Sequence, residues 1–289
     1  MIERYGWDAL PAAAQDAVRA HLGDVTVVRD IEQGMNCDLA LVVDSDHERV
    51  FLKGVKGVSL RMRWLRNEAS FGGLTAGLAP ATRFSVDVEP DWFIVGSEFV
   101  AGRAADLSPG SADLDLVAAT VARIGELDGR SAPALSDRWS TADWWVKLAE
   151  VEPEHLRGWN LDEMTERSEA AAGFVRGDAL LHTDLHEHQF VISGSAESAR
   201  VIDWGRPATG AAWVDVAFLV IRLIAAGHAP ADAERWAEGA RSWANATSEA
   251  LSAFACYVAG LWSYRCVTDA FPGADRLSSA AKDYVAHRL

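Results

Sequence analysis

The sequence predicts an α+β protein of two lobes, in which a small lobe containing a β-sheet is followed by a larger lobe of helices. Three observations carry this prediction. Short apolar runs bounded by turn residues fill residues 25–100 and predict five antiparallel strands. One helical stretch interrupts them after the third strand. From residue 112 onward the apolar spacing is helical, except for one short hairpin near residues 181–203.

The first lobe is predicted as three strands in succession, one helix and two further strands. A helix over residues 11–22 precedes them, because apolar side chains recur there at helical spacing. Three neighbouring strands joined by short turns form an antiparallel meander. The predicted strands are 25–28, 39–43, 50–55, 82–88 and 92–100, with a turn at 33–38 and the second helix at 61–77.

The second lobe is predicted to be helical around a single hairpin. Its helices are expected at 112–127, 141–150, 161–175, 211–226, 231–243, 248–270 and 278–289. The strand at 92–100 leads into residues 98–103, which we interpret as a hinge. The predicted domains are therefore 1–100 and 101–289, and a chain of 289 residues is long enough to build both.

Composition restricts the classes of partner. The net charge of −15 argues against nucleic acid as a main partner, and residues 105–289 hold 27 acidic against 16 basic side chains. This excess of carboxylates would attract a cationic small molecule, and it also favours solubility.

No apolar run is long enough to span a bilayer, and the first residues lack a signal-peptide pattern. Three scattered cysteines make no disulfide framework, so we expect a reducing, cytoplasmic location.

The most informative stretch is a loop followed by a hairpin. Residues 181–192 place ligand-type side chains before an apolar strand, and a second apolar strand leads to Asp203. A hairpin of this kind can bring Asp184, Gln189 and Asp203 around one point. Two carboxylates and an amide oxygen suit Mg²⁺, which takes oxygen ligands and usually shares them with phosphate.

At these residues the chain resembles the aminoglycoside phosphotransferase family of antibiotic kinases, which shares the protein-kinase-like fold with choline kinases. The family's motif His-Gly-Asp-Leu-His-(two residues)-Asn corresponds to residues 182–189, which read His-Thr-Asp-Leu-His-Glu-His-Gln. Its next motif, Ile-Asp-Trp, is unchanged at residues 202–204, and Trp-Val-Asp-Val-Ala at 213–217 also matches. The resemblance covers nearly the whole chain and implies a protein-kinase-like two-lobe fold.

The resemblance implies a role for each matching residue. Asp184 would orient the acceptor hydroxyl and take its proton as the γ-phosphoryl group departs. Asp203 would bind a Mg²⁺ ion that bridges the phosphates, with Gln189 as the companion ligand. His182 would brace the loop, and Asp215 would buttress it from the following helix.

The same resemblance assigns the nucleotide to the first lobe. Lys53 lies near the end of the third strand and Glu68 lies in the helix, where this fold keeps a lysine for the phosphates and its glutamate partner. The hinge, which includes Glu98 and Val100, can offer backbone N–H and C=O groups to a purine edge. The expected cofactors are ATP or GTP, together with Mg²⁺.

Two departures from the family pattern bear on these roles. Gln189 stands where the family has Asn, which places the amide oxygen one methylene further from the backbone. Because Mg²⁺ demands near-ideal octahedral geometry, this exchange bears on metal affinity and metal preference. The glycine-rich loop of protein kinases is also missing, since residues 34–38 contain a single glycine.

The acceptor is expected to be a small, hydroxylated and cationic molecule, such as an aminoglycoside or a basic peptide antibiotic. Trp144 and Trp145 lie in the segment where related enzymes build the acceptor site, with Asp143 beside them. An aromatic wall with an acidic neighbour would suit a cation through cation–π and ion-pair contacts. Such a transfer would serve antibiotic resistance, in a monomer or homodimer that needs neither nucleic acid nor a membrane.

Two alternatives stay open on the sequence alone. In an extended conformation, four alternating side chains of the loop would face one side and could build the zinc site of a metal-dependent hydrolase. These side chains are His182, Asp184, His186 and His188. The exchange at Gln189 leaves room for a catalytically inactive kinase fold that only binds ligand.

Overall fold

The computed structural model describes residues 4–31, 36–71, 73, 75, 77–141, 143–194, 199–269 and 271–289. The strands are β1 (Thr26–Asp30), β2 (Leu39–Asp44), β3 (Arg49–Lys56), β4 (Thr82–Val88), β5 (Trp92–Glu98), β6 (Arg103–Ala104), β7 (Ala179–Leu181), β8 (Phe190–Ile192), β9 (Ala199–Val201) and β10 (Ala208–Gly210). The α-helices are α1 (Ala12–Leu22), α2 (Leu60–Phe71), α3 (Asp113–Ile124), α4 (Leu135–Trp139), α5 (Trp144–Val151), α6 (Leu161–Phe174), α7 (Val214–Ala225), α8 (Pro230–Ala237), α9 (Ser248–Thr268) and α10 (Ala274–Arg288).

The chain divides into two compact units. The first unit contains Met1–Arg103 and Gln189–Arg206, and the second contains Ala104–His188 and Pro207–Leu289. The β8–β9 hairpin therefore belongs to the first unit, although it lies far along the chain from the five strands that precede it.

The first unit is built on an antiparallel sheet of five strands in the order β1-β2-β3-β5-β4. Side chains alternate across β3, as they do along any strand. Leu52 packs into the apolar cluster that also contains Val18 of α1, whereas Val55 packs into the cluster formed with Leu65 of α2. Because Lys53 and Val55 are two residues apart, Lys53 shares the face of the sheet that α2 covers.

The β8–β9 hairpin is fixed to this unit by its backbone. Phe190 pairs with Val201 across the hairpin. The N–H of Val201 donates to the carbonyl oxygen of Leu78 at 2.7 Å. At Gly102 a Cβ atom would lie 2.3 Å from the carbonyl oxygen of Ile192, so only glycine fits at this approach.

The second unit is helical around a two-stranded antiparallel ribbon of β7 and β10, in which Leu181 pairs with Ala208. The apolar helix α9 packs against α5, α6 and α10, and α7 packs against α8 and α10. Thr247 caps α9 by accepting the N–H of Ala250 through its hydroxyl group. Trp139 stacks on Tyr257 with a centroid separation of 3.8 Å, which ties α4 to α9.

The predicted fold class is confirmed, since an antiparallel five-stranded sheet with α2 is joined to a mostly helical second part. None of the described helices combines the length and the apolar character needed to cross a bilayer. Several boundaries differ from the prediction. α2 ends at Phe71 instead of residue 77, and α8 ends at Ala237 before a 3₁₀ turn at Arg241–Asn245. The sequence did not predict α4 or the β7–β10 ribbon.

Parts of four predicted elements lie outside the described residues. They are residues 33–35 of the predicted turn, residues 72, 74 and 76 of the helix at 61–77, residue 142 of the helix at 141–150, and residue 270 of the helix at 248–270.

Candidate active site

Lys53 pairs with two carboxylates in the first unit. Its Nζ atom lies 2.8 Å from Oε1 and 3.0 Å from Oε2 of Glu68, and it also forms an ion pair with Asp203. Only 12% of the Lys53 side chain is exposed. Burial lowers the pKa of Lys53, but the charges of Asp203 and Glu68 outweigh burial and raise that pKa above its ordinary value. The ammonium group therefore stays protonated at neutral pH.

The turn that carries Asp203 is held against α2. Asp203 has a φ angle of 63°, in the left-handed region that non-glycine residues rarely adopt. The N–H of Gly205 donates to the carbonyl oxygen of Asp203 at 2.7 Å. Nδ2 of Asn67 donates to the carbonyl oxygen of Gly205 at 2.9 Å. Asn67 and Glu68 are neighbours in α2. The helix therefore holds the backbone after Asp203 through Asn67 and the side chain of Lys53 through Glu68.

Gln189 and Asp203 lie at the same end of the β8–β9 hairpin. The N–H of Ile202 donates to the carbonyl oxygen of Gln189 at 2.9 Å, one step beyond the last strand pair. Gln189 is buried, whereas 44% of the Asp203 side chain is exposed. Amide and carboxylate oxygens are donors that Mg²⁺ accepts, and phosphate oxygens and water commonly complete such a site. The donor chemistry therefore fits a Mg²⁺ ion shared with a nucleotide.

The predicted hinge residues lie at the end of β5. The N–H of Glu98 donates to the carbonyl oxygen of Ala81 at 2.8 Å. Oε2 of Glu98 accepts the N–H of Ala81 at 3.2 Å. Val100 follows the strand, and no other described residue uses its backbone N–H. The backbone N–H of Val100 is thus available to a ligand, whereas the N–H of Glu98 is used within the unit.

A pocket in the same unit adjoins the acidic pair. Its lining includes Glu68 and Asp203 together with the small polar side chains of Thr82 and Ser97. The other lining residues are Ala79, Pro80, Val95, Ile202 and Trp204. Apolar and polar side chains therefore line this pocket together.

In the second unit, Asp215 holds the backbone of the loop that carries Asp184. One oxygen of Asp215 accepts the N–H of His182 at 2.7 Å, and the other accepts the N–H of Thr183 at 2.9 Å. Thr183 has a φ angle of 65°, so the loop turns through a left-handed residue immediately before Asp184. Oγ1 of Thr183 also accepts a hydrogen bond from Nη1 of Arg138 at 3.2 Å.

The Asp184 side chain is accessible and faces a buried cation. It is 40% exposed, and its Oδ1 atom lies 3.8 Å from Nη2 of Arg222 in α7. Only 19% of the Arg222 side chain is exposed. Burial lowers the pKa of Arg222, while the charges of Asp184 and Glu187 oppose that shift. A carboxylate with one side turned to solvent can accept a proton from a bound hydroxyl group.

The loop histidines do not form the zinc site that an extended conformation would build. Residues Glu187–Gln189 form a 3₁₀ turn, His182 is fully buried, and the His188 side chain is 72% exposed. Burial, with the nearby charge of Arg222, lowers the pKa of His186 to about 4, so its imidazole is neutral at physiological pH. Among the residues that the structure describes, no group of three or more His, Cys, Asp or Glu side chains is arranged to hold a metal.

The three predicted acceptor residues lie around the start of α5. Asp143 pairs with Lys147 at 2.6 Å, and the Lys147 ammonium group lies 5.1 Å from the centre of the Trp144 ring. Trp145 is fully buried, and its indole N–H donates to the carbonyl oxygen of Cys256 at 2.8 Å. Trp145 is therefore a packing residue in this structure, and its assignment to an acceptor wall is withdrawn. Trp144 and Asp143 keep exposed surface.

The sequence analysis did not predict two residues that contact the candidate residues or the turn beside them, one in each unit. Asn67 looks like any polar residue of a helix, and no local pattern marks it. Arg222 had a visible signal, because Asp215 and Arg222 are the two charged residues of an otherwise apolar α7. A charge in a buried helix face needs a partner, which makes such a residue a candidate for a functional contact.

The fold is of the protein-kinase-like class, and it places the Lys53–Glu68 pair in the sheet-bearing part and the loop with Asp184 in the helical part. No model of a protein family matches the sequence, and no curated protein sequence matches it either. Similarity is found among solved structures.

The chain is similar to aminoglycoside phosphotransferase APH(4)-Ia, with a TM-score of 0.64, 14% identity, and coverage of 96% of this chain and 97% of that one. It is similar to an aminoglycoside phosphotransferase from Alicyclobacillus acidocaldarius, with a TM-score of 0.59, 16% identity and coverage of 99% and 98%. The choline kinase LicA from Streptococcus pneumoniae gives a TM-score of 0.61, 15% identity and coverage of 94% and 98%. The predicted resemblance to the antibiotic kinases is confirmed, and at these identities it establishes the shared fold.

Proposed function

We propose that this chain transfers the γ-phosphoryl group of ATP or GTP to a hydroxyl group of a small molecule. The observation that carries this proposal is the pairing of Lys53 with Glu68 and Asp203. One buried cation between two carboxylates is the arrangement that kinase-like enzymes use to hold nucleotide phosphates and their metal. Residues 1–100 would serve as the nucleotide lobe and residues 101–289 as the catalytic and acceptor lobe.

On the nucleotide side, each residue has a binding role. Lys53 would donate to phosphate oxygens while Glu68 keeps its ammonium group in place. Asp203 and Gln189 would hold Mg²⁺, which supplies positive charge against the phosphates when it is bound. The carbonyl of Glu98 and the backbone of Val100 would contact the purine edge, which explains why the sequence does not discriminate ATP from GTP.

On the acceptor side, Asp184 would act on the reacting hydroxyl group. The hydroxyl oxygen attacks the γ-phosphorus, a new P–O bond forms, and the bond to the β-phosphate oxygen breaks. The hydroxyl proton passes to the Asp184 carboxylate and the nucleoside diphosphate leaves. Asp215 would keep the loop in place through its hydrogen bonds to the backbone of His182 and Thr183. Positioning and proton acceptance together contribute about two to four orders of magnitude in rate.

A cationic acceptor is the favoured class. The excess of carboxylates in residues 105–289 would attract a cation, and Asp143 and Trp144 keep exposed surface near α5. One related solved structure is a ternary complex of an APH(4)-Ia mutant with AMP-PNP and hygromycin B, at a TM-score of 0.61 and 14% identity. The acceptor could thus be an aminoglycoside-like or choline-like alcohol, and an antibiotic acceptor would make this protein a resistance enzyme.

The test is a nucleotide-consumption screen. Mg·ATP and Mg·GTP are each offered with hygromycin B, other aminoglycosides, choline and basic peptide antibiotics, and with uncharged polyols as the matched control. The product hydroxyl is then located by ³¹P and ¹H NMR. We expect phosphorylation of a cationic compound by the wild type and a loss of about 10²–10⁴-fold in rate with Asp184→Asn, while nucleotide affinity stays within a few-fold.

Three outcomes would count against the proposal. Full activity of Asp184→Asn would remove the catalytic role of this carboxylate. Phosphorylation of the uncharged polyols alone would overturn the cationic acceptor. Nucleotide binding without transfer to any compound would favour an inactive kinase fold that only binds ligand.

A further inference from the structure

Helix α7 keeps two charges in an otherwise apolar sequence. The helix reads VDVAFLVIRLIA, and most of its residues are buried. Placing an ionised side chain in such a helix costs free energy unless the charge finds a partner. Asp215 finds its partners in two backbone N–H groups of the loop. The remaining charge belongs to Arg222.

Arg222 is placed on the same face of α7 as Asp215. The two residues are seven positions apart, which corresponds to about two helical turns and roughly 10 Å along the axis. Asp215 therefore holds the backbone immediately before Asp184, while Arg222 faces the Asp184 side chain from two turns further along the helix. One helix thus contacts the loop at two points, one on the backbone and one on the carboxylate.

The surroundings of Arg222 explain why it faces Asp184. Its guanidinium group lies 5.1 Å from the centre of the Trp262 ring in α9, which covers one face. Its Nε atom is buried and has no hydrogen-bond partner among the described residues. The charged groups that act on it are Asp184 and Glu187, which are attractive, and Arg265, which is repulsive. The neutral imidazole of His186 also lies within its field.

We propose that Arg222 is a positioning residue for Asp184. This inference rests on the proposed function, because it assigns Arg222 a part in orienting the carboxylate that takes the acceptor proton. The contact involves Oδ1 at 3.8 Å, so it attracts one oxygen of Asp184 toward α7 and leaves Oδ2 for the acceptor hydroxyl. At this separation the attraction is electrostatic, and the low exposure of Arg222 strengthens it relative to a surface pair.

A double-mutant cycle on the transfer rate tests the inference. The four proteins are wild type, Arg222→Met, Asp184→Asn and the double variant, with Arg222→Lys as a fifth that keeps the charge. The acceptor is the compound phosphorylated in the nucleotide screen. We expect Arg222→Met to lower kcat by about 10–100-fold with KM for the nucleotide nearly unchanged, and Arg222→Lys to recover part of the loss. The double variant should be no slower than Asp184→Asn alone, because Arg222 acts through that carboxylate.

Arg167→Met is the control. Arg167 lies on α6, is 40% exposed and pairs with Glu163 of the same helix at 3.0 Å instead of with the loop. Its substitution should leave kcat within about twofold of wild type if the effect is specific to Arg222. Additive losses in the cycle, or a kcat for Arg222→Met equal to that of wild type, would overturn the inference.

A second cycle needs no catalysis. The melting temperatures of the same four proteins should be non-additive by about 2–6 °C if Arg222 and Asp184 interact. Absence of transfer in the wild type would sink the proposed function while this cycle still decided the contact. Additive melting shifts would overturn the contact even if the wild type were an active kinase.

Discussion

The ammonium group of Lys53 lies 2.8 Å from one carboxylate oxygen of Glu68 and 3.0 Å from the other. The same group pairs with Asp203, so one positive charge stands between two negative charges. The cluster therefore carries a net negative charge before any ligand arrives. It suits a divalent cation accompanied by phosphates, since the cation can be shared between Asp203 and phosphate oxygens.

Lys53→Met should weaken binding of Mg·ATP or Mg·GTP by at least about tenfold, because the positive charge that meets the phosphates is removed. Isothermal titration calorimetry on both nucleotides measures the change. Lys56→Met is the control, since Lys56 lies on the same strand and its side chain lies over the Tyr5 ring. Equal affinity of wild type and Lys53→Met would mean that the nucleotide does not bind at this cluster.

Gln189→Ala should raise the Mg²⁺ concentration needed for half-maximal transfer, with partial rescue by Mn²⁺, because one oxygen ligand is lost. Gln189→Asn should keep activity, because it keeps the amide oxygen. Titrating both metals against transfer and against nucleotide binding measures the effect, with His188→Ala as the neighbouring control. A Gln189→Ala curve that superimposes on the wild-type curve would rule out the ligand role.

His186 should make the protein less stable in mild acid. Its pKa is lowered to about 4 in the folded chain, from about 6.5 in an unfolded one. Between those two pH values the unfolded state binds more protons at residue 186 than the folded state does. The contribution of the neutral His186 to stability is therefore complete above pH 6.5 and is lost as the pH falls toward 4. Between pH 7.5 and pH 5, the free energy of unfolding measured in urea should fall by about 2 kcal/mol less for His186→Gln than for wild type. His188→Gln, at an exposed position, should behave as wild type; equal pH dependence in all three proteins would disprove the shift.

Trp145→Phe should lower the free energy of unfolding by about 2–3 kcal/mol, because it removes a buried hydrogen bond to Cys256 and part of a buried ring. The acceptor KM should stay unchanged, since Trp145 exposes no surface. Chemical denaturation and steady-state kinetics measure the two quantities. Trp144→Phe is the contrasting variant, because Trp144 keeps exposed surface. If the acceptor KM rose for Trp145→Phe and not for Trp144→Phe, Trp145 would belong to the acceptor site after all.

Elements with a strong local pattern could be predicted from the sequence. The strand at 82–88 has the same bounds as β4, and the helix at 161–175 differs from α6 by one residue. Boundaries failed where a glycine competes with helical periodicity, as at Gly239, which follows the end of α8. Helix α4 was missed because five residues give too little periodicity to detect, and its place is set by the stacking of Trp139 on Tyr257.

The candidate site likewise contains residues that could be predicted from the sequence and contacts that could not. Asp184, Asp203 and Asp215 could be found because they stand at fixed spacings within recognisable motifs. The contact between Arg222 and Asp184 could not, because it depends on how α7 packs against the loop. Trp145 was misassigned for a related reason, since sequence alone does not say which face of α5 is turned into the core.

The left-handed backbone of Thr183 has a consequence for engineering. A β-branched residue at a φ angle of 65° costs about 1–2 kcal/mol relative to glycine, and glycine returns roughly half of that through the greater freedom of its unfolded chain. The hydrogen bond from Arg138, which Thr183→Gly gives up, contributes about 0.5–1.5 kcal/mol, so the two effects nearly cancel. Thr183→Gly should therefore leave the melting temperature within about a degree or two of wild type by calorimetry. Residue 183 can thus be exchanged for glycine without loss of heat resistance, one step along the chain from the carboxylate on which turnover would depend.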